Sequence, residues 1–133
     1  PITLPDTGVE QVMWPDHCVQ GTPGADWSPS CPLREGEIVV DKGTDSRVDS
    51  YSGFGSPPEV TTLLADLRAK GVTTLYCVGL AYDYCVGSTA VDGAKNGFRT
   101  FLVTDGARSV ATPSADAMKC RLQEAGVVEI TSD

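Results

Sequence analysis

Two reactive side chains fall just beyond apolar runs. Cys85 follows the strand-like run Leu75, Cys77 and Val78, which closes at Gly79, and it opens a stretch that reads as a helix. A thiol at a helix N-terminus meets free backbone N–H groups and the positive end of the macrodipole, both of which favour the nucleophilic thiolate. The same N–H groups can hold an oxyanion that forms on a carbonyl substrate. Lys42 follows a second run, Ile38-Val39-Val40. An ammonium beside a thiol stabilises its anion, so the two residues together read as the start of cysteine nucleophilic catalysis. A cysteine without such company is more often a buried structural residue.

The only histidine, His17, lies in a proline-rich opening stretch with both tryptophans, Trp14 and Trp27. One imidazole does not make a metal site, which needs three or four donors. Cys18, its neighbour, faces another way in most backbone conformations.

The elements that must position these residues begin at Glu37. Residues 1–36 hold six of the nine prolines and show no periodicity, so they read as a loop, and its aromatics and histidine make it a loop of functional type. Ile38 to Asp41 then reads as a short buried strand. Ser56 as N-cap, Pro57 at the first helical position and Glu59 closing a capping box predict a helix. Its apolar face is Val60, Leu63, Leu64 and Leu67, and Gly71 stops it. The grammar repeats: strand Val72–Val78, helix Cys85–Asn96 stopped by Gly97, strand Phe98–Val103, helix Pro113–Ala125 capped by Thr112 and stopped by Gly126, strand Val127–Ile130. Alternating strands and helices with continuous apolar strands predict an α/β class: a parallel sheet with helices on both faces. Ligands of such sheets bind beyond the carboxyl ends of the strands, where Lys42 and Cys85 both fall. In the helix after Cys85, the small residues Gly87, Ala90, Gly93 and Ala94 predict close packing on the sheet.

Length and charge narrow the classes. The 133 residues suffice for one domain, 1–133, made of a loop portion 1–36 and a strand–helix portion 37–133. A net charge of −8 argues against nucleic acid or an anionic membrane as partner, and no apolar run is long enough for a membrane span. Five cysteines, an odd number without a C-x-x-C pair, fit free thiols in a reducing, cytoplasmic compartment.

Four segments in order, Trp14-Pro15-Asp16-His17-Cys18-Val19-Gln20-Gly21-Thr22-Pro23-Gly24-Ala25, Val40-Asp41-Lys42-Gly43, Tyr51-Ser52-Gly53-Phe54 and Gly79-Leu80-Ala81-Tyr82-Asp83-Tyr84-Cys85-Val86, resemble the nicotinamidase/pyrazinamidase family of isochorismatase-like cysteine hydrolases. The resemblance implies that fold and the hydrolysis of nicotinamide to nicotinic acid and ammonia through a cysteine thioester, in NAD salvage. By it, Cys85 is the nucleophile and Lys42 the catalytic lysine. The N–H groups of Ala81 and Cys85 form the oxyanion hole, and the Leu80–Ala81 peptide is cis. Trp14 and Tyr51 line the nicotinamide pocket. His17 is one ligand of a divalent metal, zinc foremost, with iron and manganese as alternatives.

The chain departs from the family in carrying neither the first-strand aspartate that serves as general acid/base nor the Asp-x-His motif that supplies the other metal ligands. The expectation is therefore a C-terminal part of such an enzyme, with a complementary N-terminal chain or segment as a partner and homo-oligomers left open. Asp105, at the end of a strand, is not taken as the substitute acid. Two other readings compete: an isochorismatase-like hydrolase of another small amide, and a non-catalytic interaction module that kept the motifs. A redox-sensing thiol is weaker, because no resolving cysteine lies close by in sequence.

Overall fold

The computed structural model describes residues 2–3, 8 and 10–133, leaving aside the side chain of Gln11. The chain divides into two compact units, 1–39 and 40–133.

In the first unit, β1 (Ile2–Thr3) pairs antiparallel with β2 (Glu10–Gln11), Ile2 opposite Gln11. This small ladder was not expected from a stretch that reads as loop; two residues a side give no period to detect. A single 3-10 turn, Pro23–Ala25, follows. The strand expected at 38–41 does not form: Ile38 and Val39 are 42% and 43% exposed and belong to no ladder. β-branched residues form a strand only where a neighbour supplies hydrogen-bond partners, and no described strand lies alongside this run.

In the second unit, α1 (Leu63–Ala69), β3 (Thr74–Leu80), α2 (Gly87–Lys95), β4 (Arg99–Arg108), α3 (Thr112–Ala125) and β5 (Val128–Ile130) follow in order. The three strands form a parallel sheet in the order β3-β4-β5, as the alternating pattern predicts. Leu102 of β4 packs with Val86, with Ala90 and Val91 of α2, and with Met118 and Leu122 of α3 in one buried cluster, so those two helices share a face of the sheet. On the opposite face of β3, Tyr76, Val78 and Leu80 are exposed.

The small residues of α2 have particular neighbours. A Cβ on Gly87 would stand 2.4 Å from the Tyr82 carbonyl and 2.5 Å from Met118 Cγ, and one on Gly93 would stand 2.8 Å from Leu75 Cδ1. Helix–helix and helix–sheet approach are therefore set by missing side chains. Gly71, Gly97 and Gly126 take positive φ just after α1, α2 and α3, the stops that the sequence predicts.

Three local expectations change. The first helix begins at Leu63 rather than at a Ser56 cap, because Ser56–Glu59 closes as a turn around a cis Pro57–Pro58 bond, Glu59 N–H donating to Ser56 O at 2.8 Å. Val60, expected on its apolar face, is 88% exposed. Thr112 does not cap α3; Ala111 stands at that position, and its N–H donates to the Asp83 carboxylate at 3.2 Å. Finally, β4 runs five residues past Val103. Two steps along β3, Cys77 to Gly79, match five along β4, Leu102 to Ala107, so a bulge absorbs Asp105-Gly106.

Candidate active site

The carboxyl end of β3 leads through the Leu80–Ala81 peptide, which is cis, into a π turn over Tyr82–Val86. Ala81 O accepts from Tyr84 N at 3.1 Å and from Val86 N at 3.0 Å, which widens the turn by one residue. Cys85 is thus the fourth residue of this turn, and α2 proper starts two residues later, at Gly87, rather than at the cysteine. The shift follows from contacts distant in sequence. Asp83, buried at 5% exposure, accepts from Val110 N at 3.0 Å, Ala111 N at 3.2 Å and Ser114 Oγ at 2.6 Å, which anchors the turn to the start of α3. Burial opposes the Asp83 charge, but these donors outweigh it and hold the carboxyl below its ordinary value. Tyr82 Oη donates to Glu129 at 2.7 Å, tying the same turn to β5.

Lys42 reaches this turn from the other side. Its Nζ donates to Cys85 Sγ at 3.1 Å and to Ser50 O at 3.3 Å, with both reactive side chains half-buried. Cys85 O accepts from Thr89 Oγ1 at 2.7 Å, and that hydroxyl in turn accepts from Gly53 N at 2.8 Å, so the loop bearing Tyr51 and Phe54 is fastened to α2. Tyr51 packs on Tyr84 with ring centroids 5.3 Å apart, and its hydroxyl bonds to Asp49. Lys42 and Cys85 therefore meet, and the turn that bears the cysteine also carries Tyr84 of the Tyr51–Tyr84 ring pair. Such an arrangement can stabilise a thiolate, present it to a flat substrate beside two aromatic rings, and carry an acyl group on sulfur.

A cavity of about 330 Å³ also touches Cys85, lined by Phe54, Leu67, Cys77 and Val86 among others. It includes β3 residues that point to opposite faces, Cys77 and Val78, and neither Lys42 nor Tyr51, so it is a gap along the edge of β3 that no described strand pairs, rather than the place where the pair meets. Within it, burial pushes the Cys77 thiol up to about 11, which keeps that cysteine protonated and unreactive beside Cys85.

The other site residues of the sequence reading lie in the first unit. Trp14 and His17 contact each other edge to face, centroids 6.4 Å apart, and His17 Nδ1 is 2.7 Å from Pro15 O. Among the described residues no three His, Cys, Asp or Glu side chains converge to hold a metal ion. A lone imidazole does not fit a divalent ion's coordination, so the donor set present does not make a metal centre. Asp105 is engaged elsewhere, accepting from Ser132 N and Oγ.

Asp83, Glu59 and Thr89 were not singled out for the site by sequence reasoning. Asp83 had one signal, an acid within an otherwise apolar and small-residue motif. Glu59 had another, a Pro-Pro pair before it that argues against a helix start.

A model of the Isochorismatase domain family matches residues 6–133. The chain is 43% identical over 112 residues to the nicotinamidase/pyrazinamidase of Mycobacterium tuberculosis, covering 84% of this chain and 58% of that protein. The pyrazinamidase of Pyrococcus horikoshii in complex with zinc superposes at a TM-score of 0.78 with 34% identity, covering 90% of this chain and 63% of the other. PnC1 of L. infantum in complex with nicotinate gives 0.84 with 36% identity, covering 90% and 61%. The chain spans about half the length of the curated relatives it matches.

Proposed function

The chain belongs to the isochorismatase family, and from that premise we propose that it is the thiol-bearing part of a nicotinamidase, an amidohydrolase acting on a linear amide in NAD salvage. The observation that carries this reading is the Lys42 Nζ to Cys85 Sγ contact of 3.1 Å at the carboxyl end of a parallel strand. The names of the M. tuberculosis and L. infantum relatives support a pyridine carboxamide as substrate.

In this reading Cys85 Sγ bonds to the carboxamide carbon, and the carbonyl π pair moves to oxygen. The N–H groups of Ala81 and Cys85 receive that oxyanion, where loss of one donor lowers the rate by about 10²–10³. Collapse breaks the C–N bond, and the nitrogen takes a proton and leaves as ammonia. Water then cleaves the thioester to the carboxylate and returns the thiol. Lys42 holds the sulfur as its anion, and Tyr51 binds the ring. The proton donor and a complete metal donor set are not among the groups described, so full activity in this reading draws on a complementary segment. A divalent metal is supported by the zinc-bound P. horikoshii relative; in this reading His17 is one ligand, and the others come from outside the described residues. The five free thiols are consistent with a cytoplasmic setting.

The test is ammonia release, by the chain supplied with its complementary segment, from a panel of nicotinamide, pyrazinamide, other primary amides and isochorismate. Nicotinamide should be the best substrate, with release abolished in Cys85→Ala and lowered by about tenfold or more in Lys42→Met. Preference for another amide would favour the wider hydrolase reading. No turnover, together with a Cys85 no more reactive than the exposed Cys120, would refute the enzyme and leave an interaction module.

A further inference from the structure

Glu59 is a buried carboxylate that the proposed chemistry does not use. It lies in no helix or strand, is 6% exposed, and its charge is fully engaged. Oε2 accepts from Gly43 N at 3.0 Å, while Oε1 accepts from Thr44 N at 2.7 Å and Thr44 Oγ1 at 3.0 Å. Burial works against the anion, yet these donors and the neighbouring Ser50 hydroxyl bring the carboxyl down to about 2. The two amides it captures are those immediately after Lys42, and Gly43 takes a positive φ of 68° there.

The remaining contacts make this local arrangement part of a closed circuit. Lys42 donates to Cys85, Cys85 O accepts from Thr89, Thr89 accepts from Gly53, and Gly53 O accepts from Thr61 Oγ1 at 2.7 Å, two residues beyond Glu59. Glu59 itself has little freedom. A Cβ on Gly55 would stand 2.8 Å from its carbonyl, and its N–H closes the turn on Ser56. A long flexible lysine loses rotamer entropy on being held at one acceptor, and fixing its backbone beforehand reduces that cost.

We infer that Glu59 is a positioning residue that sets the ammonium of Lys42 on the Cys85 sulfur by clamping the Gly43–Thr44 backbone. The inference rests on the reading of Lys42 and Cys85 as a working pair. Its effect belongs to sulfur reactivity, through Lys42, and not to substrate contact.

Alkylation of Cys85 by iodoacetamide at neutral pH, followed by peptide mass spectrometry with Cys120 as internal reference, needs no turnover and so separates this inference from the amidase reading. Glu59→Gln keeps the side chain's shape but turns an NH₂ toward an N–H it should accept from. It should slow Cys85 alkylation by about tenfold, with a matching loss of thiolate ultraviolet absorbance, and have less than about twofold effect in a Lys42→Met background. A folded Glu59→Gln protein that alkylates at the parental rate, or one equally slowed without Lys42, overturns the inference and leaves the amidase reading intact. A Lys42→Met protein with parental Cys85 reactivity overturns both. Should Glu59→Gln not fold, Thr44→Val, which removes only the hydroxyl donor, must slow Cys85 by about two- to threefold, again only when Lys42 is present; no slowing overturns the inference.

Discussion

Replacing Asp83 by alanine should detach the turn that presents Cys85. The carboxylate is 5% exposed and serves Val110 N, Ala111 N and Ser114 Oγ at 3.0, 3.2 and 2.6 Å. Hydrogen bonds to a charged group contribute about 1.5–3 kcal/mol each, and a lost helix cap costs about 0.5–2 kcal/mol. Val110 is 58% exposed, so water can reach the freed amides and the loss falls below the simple sum of these low ends. The expected loss is about 2–4 kcal/mol, or roughly 10 °C in Tm for a domain of this size. Asparagine retains one acceptor oxygen and should lose about half as much. The carboxyl is held below its ordinary value, so its contribution is complete above the unfolded-state carboxylate range and fades as pH falls through the lowered value. The gap between the parent and Asp83→Asn should accordingly close in acid. Urea unfolding must be followed by far-ultraviolet circular dichroism, because both tryptophans, Trp14 and Trp27, lie in the other unit. A loss below about 0.5 kcal/mol for Asp83→Ala, or a gap that stays constant into acid, would refute the anchoring role.

Further outcomes follow from the same contacts. Gly87→Ala forces a methyl to 2.4 Å from the Tyr82 carbonyl and 2.5 Å from Met118; overpacking should cost about 1–3 kcal/mol in thermal denaturation, and Met118→Ala should recover part of it. Thr89→Val deletes both the bond to Cys85 O and the acceptor of Gly53 N, and should lower stability by about 1–2 kcal/mol with faster amide exchange at Gly53. Glu59, held at about 2, adds stability that is complete above its unfolded value and declines as pH falls toward the folded one. Glu59→Gln should therefore flatten the acid limb of the parental pH–stability curve.

Much of the second unit was legible from local signals. Leu75 to Val78 reads as a strand because its apolar run is short and ends in glycine, and the stops at Gly71, Gly97 and Gly126 follow from the need for a left-handed residue after a helix. The meeting of Lys42 and Cys85 was expected from two adjacent strand ends, but only β3 forms, and Lys42 reaches the sulfur from a segment outside the sheet. What could not be read depends on partners remote in sequence. Glu59 satisfies the capping-box spacing, and only the cis Pro57–Pro58 turn and the distant amides of Gly43 and Thr44 show that it serves something else. Ile38-Val39 has strand composition, but composition does not supply a neighbouring strand. Thr112 looks like a cap, and Asp83, 29 positions earlier by the residue numbers, takes that work through the residues around it.

The bulge in β4 has a consequence for how this scaffold tolerates change. Because Gly79 and Leu80 are registered by Ala107 and Arg108, beyond the bulge, and Thr74 to Cys77 by the residues before it, the strand is gauged in two independent segments. Arg108 closes the far segment by donating to Asp105 O and Ala107 O. A slip or a side-chain exchange in the first segment can be absorbed at the bulge without being transmitted to the peptide that leads into the cysteine turn. The bulge acts as an expansion joint: sequence drift along the body of the sheet is mechanically insulated from the few tenths of an ångström on which a sulfur–ammonium contact depends.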